Sequence, residues 1–341
     1  MENNSDSNSQ IKSGLLSDTD IRRSMENNEI LIHPFEEGNL TPVGYNLTPS
    51  DFILSINSHL LVEIYFNNDE KYCYIEPNDT VVIMTREALK VGKDLAGTFH
   101  SRVSLVSRGL GHISTTLDPL WQGPLLISLN NPTKKRIKLI LAKVVKENEH
   151  EKLIKWRRRL KGSKIKNISF EYSAFVTLMF TRTITPATKR HNNPSGRFDL
   201  LNKIVSSPLK RNFFFSGKRH AHSIKLKEMI ESIGSIEFIS NKNSEQSDNI
   251  TIEQFKGYYD KFSETLSFLT NQAQKASRRI IGWQEAWYYT KLVLGILLPI
   301  GFLWLVWIFS DGAELDGRVA YVVFTLGVLK FIIDTIKEKR V

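Results

Sequence analysis

Between residues 143 and 167 the chain reads KVVKENEHEKLIKWRRRLKGSKIKN, ten Lys or Arg against three Glu. Such a surplus of positive charge attracts polyanions, lipid headgroups or nucleic acid. The plain alternative is a solvated basic helix with Leu153, Ile154, Trp156 and Leu160 on one side. A second basic stretch, SSPLKRNFFFSGKRHAHSIKLK (206–227), holds six Lys or Arg, no acid and the run Phe213, Phe214 and Phe215. Bases stack on such rings, but an interfacial anchor or a packed loop fits them better. Asp118 stands directly before Pro119, an ordinary turn arrangement. Cys73 is the sole cysteine, which excludes an internal disulfide framework and a Cys-based zinc cluster.

These residues belong to a chain of 341 residues with a formal net charge of +10, 41% hydrophobic and 10% aromatic. That composition buries a core, and the length suits two structural units. Residues 1–15 are polar, read as a disordered tail, and lack the apolar run of a secretory signal. LSDTDIRRSMENNE (16–29) reads as a short helix capped by Ser17 or Asp18. From 30 to about 142, runs such as ILIHPF, FILSI, LLVEIYF, YCYIEP, TVVIMT, PLLISL and IKLILA alternate with turn residues, an all-β rhythm. ISFEYSAFVTLMFTRTITPA (168–187) reads as two more strands. Residues 191–249 read as a basic, loop-rich linker. From 250 to 289 a helical stalk is expected, with Phe255, Tyr258, Tyr259, Phe262, Leu266 and Leu269 at three- to four-residue spacing.

The C-terminal region, 290–341, reads as a membrane hairpin. LVLGILLPIGFLWLVWIF (292–309) has eighteen residues and no charge, close to the about 20 residues that cross a bilayer core. VAYVVFTLGVLKFIIDTI (319–336) is apolar but for Lys330 and Asp334. The loop between them carries Asp311, Glu314 and Asp316, whereas the outer flanks carry Arg278, Arg279, Lys291, Lys337, Lys339 and Arg340. Positive flanks stay cytoplasmic. A multi-pass protein of the inner or plasma membrane is expected, with its N-terminal domain and C-terminus in the cytoplasm.

LSDTDI (16–21), ILIHPF (30–35) and TPVGYNL (41–47) resemble the opening of the dCTP deaminase family. SRVSLVSRGLG (101–111) resembles that family's R-S-S-L-x-R-L-G-L motif. TTLDPLWQGPLLISLNN (115–131) resembles H-x-I-D-P-G-W-x-G-x-x-x-L-E-x-x-N, with Asp118, Trp121, Gly123 and Asn131 in register, and is similar to the hairpin of the related dUTPases. SAFVTLMFTRTITPAT (173–188) resembles the next core strand, which makes 143–167 an insertion. The resemblance covers residues 16–190. It implies a mainly β fold, a distorted dUTPase-like β-barrel that assembles as a homotrimer. It also implies sites between subunits for a pyrimidine deoxynucleoside triphosphate with magnesium, and no zinc. Residue by residue, it puts Arg102, Ser104 and Arg108 on phosphates. It makes Asp118 the hairpin acid, catalytic if the protein is active, and Trp121 and Asn131 its supports. No metal is assigned to protein side chains.

Several positions depart from the pattern. The family's general acid/base Glu corresponds to Ser128, and a hydroxyl does not replace a poised carboxylate. The first Ser of the R-S-S-L motif is Val103, the following Arg aligns with Ser107, and the Asp of the opening turn is Asn46. The expectation is a membrane-anchored dCTP deaminase/dUTPase-like protein that binds a pyrimidine deoxynucleotide and signals to its membrane helices, as an antiviral defence effector would. The alternatives are an active membrane-tethered dCTP deaminase or dUTP pyrophosphatase, and a trimeric adaptor without catalysis. Anionic headgroups are the expected partner of 143–167, and nucleic acid is not.

Overall fold

A computed structural model describes residues 13–112, 115–145, 169–189, 200–201, 203, 227–228, 251–309, 327 and 330. The chain divides into two compact units, Met1–Ser277 and Arg278–Val341. The first unit holds all the described strands and one helix that completes its packing.

The chain opens with β1 (Gly14–Leu15), two residues of the expected tail, which pair with Arg182 and Thr181. α1 (Asp18–Glu26) follows and is started by a capping box. The Ser17 hydroxyl accepts from the Asp20 amide at 3.2 Å, and the Asp20 carboxylate accepts from the Ser17 amide at 3.1 Å. Two otherwise orphaned donors are satisfied reciprocally. The Ser17 hydrogen bonds hold the Asp20 carboxyl below its ordinary pKa. Ile21 and Ser24 form the buried face of this helix.

The remaining strands are antiparallel and lie in three sheets. The first contains β3 (Leu40–Thr41), β4 (Gly44–Leu47), β9 (Leu95–Ser101), β11 (Thr116–Leu117) and β15 (Val176–Arg182), in the order β11-β9-β15-β4-β3, with β1 on β15. The second contains β2 (Ile30–His33), β5 (Pro49–Ser55), β8 (Asp79–Val91), β10 (Gly111–His112) and β12 (Gln122–Asn131), in the order β10-β12-β8-β2, with β5 also on β8. The third contains β6 (Ile64–Asn67), β7 (Glu70–Ile75), β13 (Ile137–Val144) and β14 (Phe170–Tyr172), in the order β14-β13-β7-β6. A mainly β fold is what the alternating apolar runs predict. The expected single barrel is corrected: among the described residues the hydrogen-bonded ladders form three sheets, and none of them closes. Short strands such as β3, β10 and β11 pair over two residues only, too few to carry a ladder around a ring.

One core fills the space between the sheets. Ile21, Tyr45, Ile83, Phe99, Leu125 and Phe180 are among its buried members. Cys73 also lies there, and burial pushes its thiol up to about 12, so it is an inert apolar filler.

A second core lies on the other face of β8. α3 (Ile252–Phe309), which follows the four-residue α2 (Val103–Val106) described below, begins there. Its Phe255, Tyr259, Phe262 and Leu266 pack on Phe52, Leu54, Val82 and Met84. Thus the stripe that predicts a stalk covers the chain's own sheet. Each fully buried Phe contributes about 2–3 kcal/mol. Polar contacts fix the register of docking. The Tyr259 hydroxyl donates to the Arg86 carbonyl at 2.6 Å, the Gln274 amide donates to the Asp51 carbonyl at 3.2 Å, and the His33 ring stands edge-on to Tyr259 at 4.8 Å.

In the second unit the backbone of α3 runs helically to Phe309, so the uncharged run 292–309 is helical as expected. Most of its side chains, and all of 319–336 except Gly327 and Lys330, lie outside the described residues. Among the described residues no helix is long and apolar enough to cross a membrane. The insertion beyond Val145 and almost all of 191–249 also lie outside them.

One of the buried ionisable groups of the first unit is wholly enclosed. Glu87, on β8, is 0% exposed, and its carboxylate accepts from the Thr48 amide at 2.9 Å and the Thr48 hydroxyl at 2.5 Å. Burial dominates and raises its pKa to about 7. The carboxyl keeps its proton in the folded chain at pH values where the unfolded chain has lost it. Folding stability therefore falls as pH rises from about 4.5 to about 7 and is flat beyond. In Glu87→Gln that fall should disappear, with a gain on the order of a few kcal/mol at pH 8. Urea unfolding across pH 4–8 reads both effects. A slope unchanged by the substitution would refute the assignment.

Candidate nucleotide site

The first group of site residues follows β9, where the strand turns into α2. Arg102 is the N-cap of this single turn, and its backbone carbonyl accepts from the Leu105 and Val106 amides at 2.9 and 3.1 Å. Its guanidinium, half-buried, donates to the Ala174 carbonyl at 3.3 Å, which leaves further donors for an anion. Ser104 is exposed on the same turn. Arg108 folds back instead. Its Nε donates to the Ser104 carbonyl at 3.0 Å and its Nη1 to the Lys138 carbonyl at 2.9 Å, so it ties the loop to β13. Val103 is 82% and Val106 53% exposed, apolar side chains facing away from the chain's own core.

The second group is the turn between β11 and β12. The Asp118 carbonyl accepts from the Trp121 amide at 3.3 Å, and Leu120 has φ +63°. With Pro119 ahead of it, this is a turn of the type that wants glycine at its third position. The Asp118 carboxylate, half-exposed, receives a long bond of 3.4 Å from the Thr116 hydroxyl. Trp121 lies against the first core and donates its indole N–H to the Gly123 carbonyl at 3.0 Å.

The two groups are not brought together within one chain. Leu117, beside Asp118, pairs with Gly97, five positions before Arg102, roughly 17 Å along an extended strand. Thr98 and His100 stand exposed between them, with the Thr98 hydroxyl 2.8 Å from His100 Nε2. The sequence reading missed this polar pair. The signal was the alternation of LAGTFHS, which puts both on the face opposite Phe99.

Asn131 is fully buried and spent inside the chain. Its amide donates to the carbonyls of Ile75, Glu76 and Lys135 at 2.9, 3.0 and 2.9 Å, and its Oδ1 accepts from the Thr133 amide and hydroxyl at 3.1 and 2.7 Å. It clamps the β12–β13 turn to the end of β7 and has no free polar capacity for a ligand. Ser128, half-buried on β12, pairs with Val82. It therefore faces the side of the sheet that carries the second core, whereas its neighbours Ile127 and Leu129 point into the first.

Among the described residues no group of three or more His, Cys, Asp or Glu could hold a metal ion.

This geometry has relatives. The dCTP deaminase of Pyrococcus abyssi is 32% identical over 125 residues, 36% of this chain and 73% of that protein. The chain belongs to the dCTP deaminase family. The profile of the dCTP deaminase-like family matches residues 15–141, ending just before the basic insertion. A probable deoxyuridine 5'-triphosphate nucleotidohydrolase of Sulfolobus islandicus rod-shaped virus 1 is 25% identical over 178 residues, 52% of this chain and 90% of the viral one. Of solved structures, the 2'-deoxycytidine 5'-triphosphate deaminase from Agrobacterium tumefaciens aligns with a TM-score of 0.33 at 10% identity, over 50% of this chain and 48% of that one.

Within the family's hairpin motif, Leu120 occupies the place of the glycine, which explains its unfavourable φ. A non-glycine residue there costs about 1–2 kcal/mol, so Leu120→Gly should gain about 1 kcal/mol by urea unfolding. Asn131→Ala should lose about 2–4 kcal/mol, because three carbonyls lose their donor. Its nucleotide affinity, measured well below the melting temperature, should stay near wild type. A large loss of affinity in a folded Asn131→Ala protein would return this residue to the ligand site.

Proposed function

We propose that this dCTP deaminase family member binds a pyrimidine deoxynucleoside triphosphate, carrying magnesium on its phosphates, without deaminating it. Arg102 and Ser104 take the phosphates. Asp118 takes the sugar or a water. Ser128 carries this reading. A family position that holds a general acid/base holds a hydroxyl, on a strand face turned toward an apolar core. Glu87, the one strongly shifted carboxyl in the β domain, is 0% exposed and bonded to Thr48, so it does not stand in.

The site is built by more than one copy. Its phosphate end and its acid end lie too far apart along β9 to hold one nucleotide in common. The exposed Val103 and Val106 beside Arg102 offer apolar area for a neighbouring copy to cover. A homotrimer supplies each site with the α2 turn of one copy and the hairpin of another. The apolar runs 292–309 and 319–336 tether this assembly to the inner or plasma membrane as a two-span hairpin, with both termini cytoplasmic. Ligand occupancy that favours one packing of the helices shifts their population, which is how a nucleotide-sensing defence effector would act at a membrane.

The retained Asp118, exposed on its hairpin, favours a second reading, an active dCTP deaminase or dUTP pyrophosphatase. The full chain in detergent should be incubated with dCTP, dUTP, dTTP and ATP plus magnesium, and scored for melting shift and for product. Binding without turnover predicts a melting shift with dCTP or dUTP, lost in Arg102→Ala, and no product. At a hundredfold excess over Kd the stabilisation is about 2.7 kcal/mol. Product that vanishes in Asp118→Ala would replace the first reading with the second. No shift with any nucleotide would overturn both.

A further inference from the structure

The third sheet turns one face to the core and the other away from it. On β7, Cys73 and Ile75 point into the core, so Tyr72 and Tyr74 stand on the outward face. Tyr65 of β6 lies opposite Tyr72, and Lys138 of β13 lies opposite Tyr74. The three rings form one cluster. Tyr65 and Tyr72 stack with centroids 5.7 Å apart, and Tyr72 and Tyr74 meet edge-on at 5.5 Å. Cations sit among them. Lys138 Nζ is 4.0 Å from the Tyr72 centroid, and the Arg136 guanidinium is 4.3 Å from that of Tyr74. The turn leading into β13 adds exposed Lys134 and Lys135.

This face is not a failed core. A sheet face awaiting a helix carries aliphatic side chains, as Val82 and Met84 do under α3. Here the outward positions are tyrosines overlaid by cations, a wet surface with Tyr65 39% exposed. The acids present offset only part of the charge. Glu70 binds Lys138 and Lys143, Glu63 accepts from the Tyr65 hydroxyl, and exposed Glu76 follows the end of β7, against Lys134, Lys135 and Arg136 at the turn.

An exposed ring backed by others and flanked by positive charges suits a polyanion whose bases are unpaired, because a base stacks on the ring while phosphates meet the cations. A duplex hides its base faces and gains nothing from tyrosine. We propose that the outward face of the β14–β13–β7–β6 sheet binds single-stranded nucleic acid, with a base on exposed Tyr65, which Tyr72 and Tyr74 support, and phosphates on Arg136, Lys134 and Lys135. The sequence alone set nucleic acid aside after weighing the two basic stretches 143–167 and 206–227, and the tyrosines come together only in the fold. This surface adjoins the α2 turn, whose Arg108 donates to the Lys138 carbonyl at 2.9 Å, but its assignment does not rest on the nucleotide reading.

The test is fluorescence anisotropy of the full chain in detergent with labelled single-stranded dT15 and a 15-base-pair duplex, from 50 to 300 mM salt. Tyr65→Leu keeps an apolar side chain but removes the ring, and should weaken dT15 about tenfold with the salt slope intact. Arg136→Gln should lower the slope of log K against log salt by about 0.7. Both positions are at the surface, so melting temperatures should not move. Absence of dT15 binding at 50 mM salt would overturn the proposal. So would equal affinity for duplex together with indifference to Tyr65→Leu, which is bare electrostatics from the insertion. Sedimentation with phosphatidylserine vesicles, lost in Arg136→Gln and unaccompanied by dT15 binding, would assign the face to lipid and overturn it equally.

Discussion

Strand β8 is buried on both faces, and the rest of the first unit is arranged around that constraint. Val81, Ile83 and Leu89 point into the core between the sheets, and Val82, Met84 and Ala88 point under α3. β12 occupies one edge along the length of the strand, while β5 and β2 share the other. An antiparallel sheet usually leaves one face to water. Here the second face is apolar, so the helix is obligatory: without α3 the side chains of Phe52, Leu54, Val82 and Met84 would form a large exposed apolar patch. The helix in turn is held in register by hydrogen bonds to the carbonyls of Arg86 and Asp51, which a sliding helix would forfeit.

The same constraint bears on chemistry. Ser128 shares a face with Val82, on the side of the sheet that the helix covers. A carboxylate on that face would stand beside apolar side chains and carry a desolvation cost, whereas a serine hydroxyl carries a small one. Docking a helix there and losing the acid are therefore physically compatible changes, and each makes the other cheaper. The residues kept from the family motif lie elsewhere: Arg102 and Ser104 follow β9 and Asp118 follows β11, two strands of the first sheet, whereas Ser128 lies on the face of the second sheet that α3 covers.

What could be read from the residues was whatever local pattern decides. The strands from 30 to 142, the helix after Ser17, and the helical spacing from Phe255 all follow from alternation, a cap and a three-to-four repeat. The hairpin motif puts Asp118 and Trp121 on one turn, and the structure has that turn, because a turn is a local object. Partnership was not legible. The stripe of Phe255, Tyr259 and Phe262 says that a helix is buried on one side but not against what. Asn131 matches a motif as a support of the hairpin acid, and its register at the end of β12 brings three carbonyls of two other segments around it. Glu87 looked like one charge in TVVIMTREALKV, and only pairing with Thr48, thirty-nine positions earlier, explains how it is tolerated. Tyr65, Tyr72 and Tyr74 are scattered in the chain and adjacent only through strand register.

Charge placement follows the same logic. Cations that tie elements together have partners within the fold: Arg182 joins Glu29 at 2.5 Å and also Asp94, binding the end of α1 to β15 and the start of β9; Arg86 joins Glu36 at 2.6 Å and lies 4.1 Å over the Tyr172 ring; Lys71 joins Asp51 at 2.6 Å. Removing one partner from a buried pair leaves the other uncompensated, so these positions are bound to their roles. The cations of the β12–β13 turn are under no such restraint. They project at the rim of a sheet whose outward face is aromatic, and nothing in the packing of the core requires them there. A folded domain that needed only solubility would intersperse both signs across its surface. Three cations at one turn beside three tyrosine rings, with Glu63 and Glu70 already engaged by Tyr65 and Lys138, leave a local positive excess of the kind an anionic ligand meets.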